Sequence, residues 1–101
     1  MILYNVTVNI DADVEDDWIG WMKSTHIPEV MDTGFFKEYR MMKMLSEGQD
    51  DTGATYAIQY MAETLGHLET YLSTVAPKIQ KKSIIRYGTK MAAFRTVLEE
   101  V

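Results

Sequence analysis

The 101-residue sequence predicts one α+β domain with the element order β-α-β-β-α-β. Three observations lead to this prediction. The N-terminal run MILYNVTVNI alternates apolar and polar residues over a strand's length. Two apolar stripes at helical spacing follow, one after the first strand and one after the third. The composition, 47% hydrophobic and 25% charged, is that of an ordinary globular protein with a modest core.

The first half of the chain contains a strand, a helix and a second strand. Asp11 or Asp13 is expected to cap the helix, whose first turn is acidic. Its inward stripe comprises Val14, Trp18, Trp21, Met22 and Thr25. We expect the helix to break or kink at Ile27, because the residue before a proline disfavours helical geometry. Pro28 then opens a fresh turn that Gly34 ends, and residues 35–45 form the second strand.

The second half repeats the pattern after a turn over residues 46–53. Residues 54–61 form the third strand, and Thr64 caps a helix whose stripe is Leu65, Leu68, Leu72 and Val75. Pro77 starts a further short helix, which is expected to turn Ile79, Ile84 and Ile85 inward before Gly88 ends it. Residues 91–99 form the last strand.

This order predicts the ferredoxin-like fold, with both helices on one face of a four-stranded antiparallel sheet and the first and third strands in its centre. The side toward the helices is expected to be apolar and to include Tyr4, Val6, Val8, Tyr56 and Ile58. The opposite face would show Leu3, Asn5, Thr7, Thr55, Ala57 and Gln59, with edge residues drawn from Glu38, Arg40, Met42, Arg95 and Val97. That face is too apolar for open water and too polar for a dry core. We therefore predict that it pairs with a second copy of the chain as a homodimer and leaves a small cavity.

His26 is the candidate catalytic residue. It follows Trp18 and Met22 on the inward column of the first helix, where that helix is expected to end. An imidazole there could exchange a proton near neutral pH. It could equally be a structural histidine bonded to a backbone carbonyl. Trp18 has the same two interpretations, as an aromatic wall of a ligand pocket or as core.

The other candidate ligand-binding residues are Asn5, Arg40, Gln59 and Arg95. Both arginines are expected on the face of the sheet away from the helices, where a guanidinium could bind a carboxylate ligand. They could instead form ion pairs with Glu38 or with the second subunit. Asn5 and Gln59 would supply neutral hydrogen bonds to a ligand or within the interface.

Several classes of protein are disfavoured. The net charge of −5 and the absence of an aromatic-glycine signature in the third strand argue against nucleic-acid binding, and Lys78, Lys81, Lys82 and Arg86 fit a solvated helix face. There is no cysteine, no glycine-rich phosphate loop and no nucleophile motif, and His26 and Glu29 lack a third metal ligand. We therefore expect no metal and no cofactor. The N-terminus does not look like a signal peptide and no apolar run is long enough to span a membrane, so a cytoplasmic protein is expected.

The run THIPEVMDTGFF, with its H-x-P and later glycine, resembles the dimeric α+β barrel superfamily. That superfamily includes cofactor-free monooxygenases, muconolactone-isomerase-like proteins and haem-handling barrels. Together with MILYNVTVNI, TYAIQYMAETLGHLETYL and AFRTVLE, the run also makes the whole chain similar to a family of short bacterial proteins known only as a domain of unknown function. The resemblance implies the fold and assigns no activity.

Two functions from different classes remain. One is a dimeric barrel that binds a small organic molecule, with an anion among the candidates, and acts on it without a cofactor. In that hypothesis His26 is the acid or base, and the arginines orient the ligand. The other is a non-catalytic homodimeric structural or regulatory module. A pocket of a few hundred cubic ångströms that touches His26 would favour the first.

Overall fold

A computed structural model describes residues 1–46 and 52–101. Its strands and helices are β1 (Ile2–Asp11), α1 (Glu15–Trp21), α2 (Ile27–Asp32), β2 (Glu38–Lys43), β3 (Gly53–Ala62), α3 (Leu65–Thr74), α4 (Ala76–Tyr87) and β4 (Met91–Glu99). The predicted order is confirmed. The predicted turn over residues 46–53 falls mostly on residues 47–51, outside the described residues.

The four strands form one antiparallel sheet in the order β2-β3-β1-β4, so β1 and β3 are central as predicted. Tyr4 pairs with Tyr60 and Val6 with Ile58, which places the apolar faces of both central strands together. The helices cover this face, here called the helix face. The other side of the sheet is called the open face. This is the ferredoxin-like α+β fold that the alternating pattern predicts.

The helix does not break near Ile27, although a break is one of the two outcomes predicted there. The chain stays helical from α1 to α2 through a π-helical turn, Met22–His26, in which the Ile27 N–H donates to the Met22 carbonyl. Pro28, in the first turn of α2, has no N–H to donate and its ring needs room beside the preceding turn. The wider π turn lies directly before it and accommodates it without a break. Asp11 precedes the first helical residues, but its side chain makes no capping bond.

The second helical region is split by Pro77 as predicted, into α3 and α4. Thr64 caps α3, because its hydroxyl accepts from the backbone N–H of His67 at 3.2 Å. Ile79 is buried, but the expectation for its neighbours is wrong: Ile84 and Ile85 are 63% and 75% exposed. Apolar spacing alone did not distinguish the core side of α4 from its edges.

Two glycines end helical segments as predicted. Gly34 has φ of 80° and Gly88 has φ of 54°, conformations that other residues rarely adopt. The chain after Gly34 remains irregular until Glu38, so β2 is shorter than the predicted strand over residues 35–45. Lys37 nevertheless donates its backbone N–H to the Met61 carbonyl, which ties this segment to β3.

The core between the helices and the helix face is strongly aromatic. Phe36 lies at its centre, with ring centroids 4.9 Å from Tyr71, 5.1 Å from Tyr60 and 6.1 Å from Tyr4. Tilted and edge-on ring pairs of this kind add to the free energy of burial. In the ranges 1–46 and 52–101, no helix is long and apolar enough to cross a membrane.

Candidate functional site

The sheet separates the predicted site residues into two groups. Asn5, Arg40 and Gln59 lie on the open face, where Gln59 pairs with Asn5 on one side and Arg40 on the other. Trp18, His26 and Arg95 lie on the helix side of the sheet and line one cavity there. A four-stranded sheet stands between the two groups, so the six residues do not form one site within a chain.

The predicted position of Arg95 on the open face is therefore wrong. We expected it on the open face with Val97, but β4 pairs with β1 so that Arg95 is opposite Val6 and Val97 is opposite Tyr4. Both side chains thus share the helix face, while Phe94 and Leu98 take the open face. β4 is an edge strand with apolar residues at both parities, so alternation did not indicate which set faces the helices.

The cavity between the helices and the sheet has a volume of about 200 Å³. Its walls come from the central strands, from α1 with its π turn, from α4 and from the start of β4. Most lining residues are aliphatic or aromatic, and eight carry a polar side-chain atom: Tyr4, Trp18, His26, Tyr60, Tyr71, Gln80, Ser83 and Arg95. An apolar pocket with a few converging polar groups is the usual form of a small-molecule site.

His26 reaches this cavity because of the π turn. It is the last residue of that turn, and its backbone remains helical with φ of −68° and ψ of −53°. Its ring packs on Trp21 at a centroid distance of 5.0 Å. Trp21 is in turn contacted edge-on by Tyr87 at 5.6 Å and covered by the Arg86 guanidinium at 5.6 Å. Helical continuity and this stack hold the imidazole against the cavity.

Three buried polar atoms that line the cavity have no hydrogen-bond partner within the described part of the chain. They are Trp18 Nε1, His26 Nδ1 and the Tyr60 hydroxyl. Trp18 is 0% exposed and Tyr60 is 2% exposed, so solvent at the surface does not satisfy them. Leaving such groups unpaired is costly, and native proteins rarely do so. All three residues line the same cavity.

The imidazole of His26 is neutral at pH 7. Burial lowers its pKa from 6.5 to about 4, and the nearby charge of Glu29 opposes this while Arg95 and Lys82 add to it. Burial has this effect because the charged imidazolium loses hydration. A neutral imidazole has one nitrogen that donates and one that accepts. His26 therefore presents a group that can exchange hydrogen bonds with a ligand.

Sequence reasoning missed the tyrosines. Burial raises the pKa of Tyr4, Tyr60 and Tyr71, so all three hydroxyls stay protonated at neutral pH. Arg95 and Gln80 lower the pKa of Tyr4, against the larger effect of burial. The alternation of β1 and β3 predicts that Tyr4 and Tyr60 lie on the core side of the sheet. It carries no signal that both residues line a cavity. Tyr71, on α3, was not singled out at all.

The open face has a different character. Asn5 Nδ2 donates to Thr7 Oγ1 at 3.0 Å, while Asn5 Oδ1 is buried and has no partner among residues 1–46 and 52–101. Large apolar side chains are exposed beside these polar groups: Met42 is 44%, Leu98 is 49% and Phe94 is 63% exposed. The mixture predicted for this face is present, with Phe94 and Leu98 in place of Arg95 and Val97.

The basic run on α4 is exposed. Lys82 pairs with Glu29 at 2.5 Å and Arg86 pairs with Asp17 at 3.3 Å, so these cations connect α4 to α2 and α1. In the described ranges, no three His, Asp or Glu side chains come close enough to hold a metal ion. His26 and the cavity are thus the chemically distinctive feature of this side of the molecule.

The fold is shared with solved structures of low sequence identity. A candidate antibiotic biosynthesis monooxygenase from Deinococcus radiodurans matches with a TM-score of 0.69 and 13% identity, over 100% of this chain and 93% of that one. An ethyl tert-butyl ether D family protein from Bacillus halodurans matches with a TM-score of 0.67 and 12% identity, over 100% of both chains. A dimeric ferredoxin-like protein from an uncultured marine organism has a TM-score of 0.66 and 13% identity, over 99% and 98%.

These likenesses establish the fold, and none of the curated proteins matches the sequence. The resemblance that the sequence motifs suggested extends from the first residue to the last. Because its family model matches residues 1–101, the chain belongs to the family described as domain of unknown function DUF4286.

Proposed function

We propose that this protein binds a small organic molecule in the cavity between its helices and its sheet, and that His26 exchanges a proton with that molecule. The observation that carries the proposal is that Trp18 Nε1, His26 Nδ1 and the Tyr60 hydroxyl, all unpartnered in the described chain, belong to residues that line one cavity of about 200 Å³. A ligand with polar atoms at matching positions would satisfy all three and remove the cost of leaving them unpaired.

Proton exchange follows from the states of these groups. His26 is neutral at pH 7, with a pKa lowered to about 4 by burial, so it can accept a proton from a bound acid. Its low pKa makes it a weak base in the empty cavity. An anionic ligand or product beside it would favour the imidazolium and raise that pKa. This chemistry needs only the protein's own side chains.

We propose further that the protein is a homodimer through its open face. Phe94, Leu98 and Met42 are large and exposed on that face, around a polar centre formed by Asn5, Arg40 and Gln59. Large exposed apolar side chains on a sheet face are typical of an interface. The dimeric ferredoxin-like neighbour supports this proposal, since it has the same fold over nearly its whole length. In that arrangement the arginine, asparagine and glutamine predicted to bind ligand would instead form interface contacts.

The cavity can be tested by filling it. Ala93 lies on the helix face of β4 and lines the cavity, whereas its neighbour Ala92 is exposed on the open face. Binding of four single-ring probes, benzoate, benzamide, benzyl alcohol and p-cresol, is followed through the indole N–H resonance of Trp18. The Trp21 indole serves as the internal control. At least one probe is expected to move the Trp18 resonance more than that of Trp21, whose ring lies outside the cavity lining and packs on His26.

Ala93→Leu should weaken that binding tenfold or more, whereas Ala92→Leu should leave it unchanged. His26→Ala should keep the fold and weaken binding, and His67→Ala, which alters the exposed second histidine, should not. If no probe moves the Trp18 resonance, the binding proposal is wrong. A large loss of melting temperature in His26→Ala with unchanged binding would assign His26 a purely structural role and favour the non-catalytic module.

A further inference from the structure

We propose that the ligand of this cavity is a single-ring carboxylic acid, bound as its anion, with the carboxylate at Arg95 and the ring inside. This inference rests on the proposed binding function and specifies the class of molecule. Three properties of the cavity support it: its volume, the nature of its walls and the charge at its edge.

The volume admits one ring. An engineered apolar cavity of roughly 150 Å³ in another protein takes up benzene. The cavity described here, at about 200 Å³, exceeds that by the space of a few non-hydrogen atoms. A six-membered ring with one or two small substituents therefore fits.

The walls suit the faces and edge of such a ring. Aliphatic side chains from both central strands and from α4 lie on one part of the surface, among them Val8, Ile58 and Ile79. The rings of Tyr4, Tyr60 and Tyr71 form another part. Tyr4 is 6.2 Å from Tyr60 and 6.1 Å from Tyr71 between ring centroids, so the three tyrosines form one aromatic surface. Aromatic ligands gain from tilted and edge-on contacts with such rings.

The charge comes from Arg95. Among the lining residues it is the one with a permanent charge, since His26 is neutral at pH 7 and the tyrosines are protonated. Within the described ranges, no carboxylate forms an ion pair with Arg95, whereas Lys82 and Arg86 on the nearby helix α4 pair with Glu29 and Asp17. Its charge and a hydrogen bond from it lower the pKa of the Tyr4 hydroxyl, against the larger effect of burial. A guanidinium has five N–H donors, so beyond Tyr4 it can still bind a carboxylate through two parallel hydrogen bonds.

The other charged groups around His26 do not alter this conclusion. Glu29 faces His26 from α2, but its carboxylate is held by Lys82 from α4 at 2.5 Å. The chain as a whole is acidic, with a net charge of −5, but interactions between exposed charges are screened beyond about 10 Å at ordinary ionic strength. Among the residues that line the cavity, Arg95 therefore remains the one with a permanent charge.

Trp18 adds a requirement on the ligand. Its Nε1 is a donor and cannot accept, so it requires an acceptor on a bound molecule. The Tyr60 hydroxyl, which also has no partner in the described chain, can donate to a ligand as well. The structure thus favours a ring whose second substituent is a carbonyl or hydroxyl oxygen over an unsubstituted ring, with the carboxylate directed toward Arg95.

The test compares two probes of equal shape and different charge. Benzoate and benzamide are titrated into the full chain, and their dissociation constants are read from the Trp18 indole resonance. Benzoate is expected to bind at least tenfold more tightly. Arg95→Gln should remove that preference by weakening benzoate at least tenfold and leaving benzamide unchanged, and Arg95→Lys should restore part of it. Arg40→Gln is the matched control, since Arg40 lies on a strand of the same sheet but on the open face.

The outcomes separate this inference from the binding function. Equal binding of benzoate and benzamide, or an Arg95→Gln variant that still prefers benzoate, would overturn the inference and leave the cavity as a binding site. If neither compound moves the Trp18 resonance while benzyl alcohol or p-cresol does, the inference is also overturned and the binding function stands. If none of the four probes binds, both are wrong. An added hydroxyl, as in 3- or 4-hydroxybenzoate, should strengthen binding further by reaching Trp18 or Tyr60.

Discussion

The two faces of the sheet differ in how their side chains are covered. On the helix face, Tyr4, Ile58 and Tyr60 are almost fully buried by helices of the same chain. On the open face, Met42 of β2 is 44% exposed, and Phe94 and Leu98 of β4 are 63% and 49% exposed. The helix face therefore completes its packing within one chain and still leaves unpaired polar atoms inside. The open face has paired strands but lacks a covering layer.

This difference shows that a region can be well buried and still contain polar atoms without hydrogen-bond partners. The best-buried region contains Trp18 Nε1, His26 Nδ1 and the Tyr60 hydroxyl, which are unsatisfied within the described residues. The least-buried region is short of apolar contacts. We attribute the first deficit to a bound small molecule and the second to another copy of the chain. The following predictions test that attribution, from the largest expected effect to the smallest.

The largest effect is expected for Ile58→Ala on the helix face. Ile58 is 0% exposed and lines the cavity, so the substitution removes buried contacts, enlarges that cavity and should lower the free energy of unfolding by about 3 to 4 kcal/mol. Gln59→Ala, one residue along β3 on the open face, should cost less than about 1 kcal/mol. Both values come from urea unfolding at the same protein concentration. If both substitutions lower the free energy of unfolding equally, the open face is packed as tightly as the core within a single chain.

A smaller effect is expected from the protonation of His26. Its pKa is about 4 in the folded protein and 6.5 when unfolded, so the unfolded state binds the extra proton between these values. The contribution of neutral His26 to the free energy of unfolding is therefore retained above pH 6.5 and is lost as the pH falls toward 4. The loss between pH 7 and pH 5 should be about 2 kcal/mol from this group.

The control for this prediction is the other histidine. His26→Gln should remove that part of the pH dependence, whereas His67→Gln, on the exposed surface of α3, should keep it. Urea unfolding at pH 7, 6 and 5 measures the difference. If His26→Gln has the same pH dependence as the wild type, the imidazole is not held in its neutral form by burial.

The smallest effect is expected on association through the open face. Phe94 is 63% exposed in the single chain, so Phe94→Ser should hardly change the stability of the monomer. It should raise the dimer dissociation constant by about tenfold, equivalent to about 1.4 kcal/mol. Val97→Ser is the matched control, because Val97 is 48% exposed on the same strand but faces the helix side. Sedimentation at micromolar concentration distinguishes them, and a wild-type protein that sediments as a monomer would contradict the dimer.

Much of this structure is readable from local sequence. The alternation in residues 2–10 indicated β1 and its buried face, Thr64 indicated the start of α3, and Gly34 and Gly88 indicated where helical segments end. Each of these signals depends on a residue's own conformational preferences and those of its near neighbours. The positions of β1 and β3 in the centre followed from the order of elements.

Other features depended on contacts between distant segments. The π turn before Pro28 keeps the helix continuous, although the residues alone indicated a break or a kink. The register of β4 against β1 put Arg95 beside the cavity and Phe94 on the open face, a choice that an edge strand with apolar residues at both parities left undetermined. The site residues identified from sequence were therefore divided between two sides of the sheet.

The sequence by itself thus determined the elements, their order and the central strands, because these follow from local periodicity and from turn residues. Tertiary structure alone decided which polar atoms share a cavity and which arginine accompanies His26. The reason is physical: strand register and helix packing bring together Trp18, Tyr60 and Arg95 from three separate parts of the chain, and no pattern within one segment records that meeting.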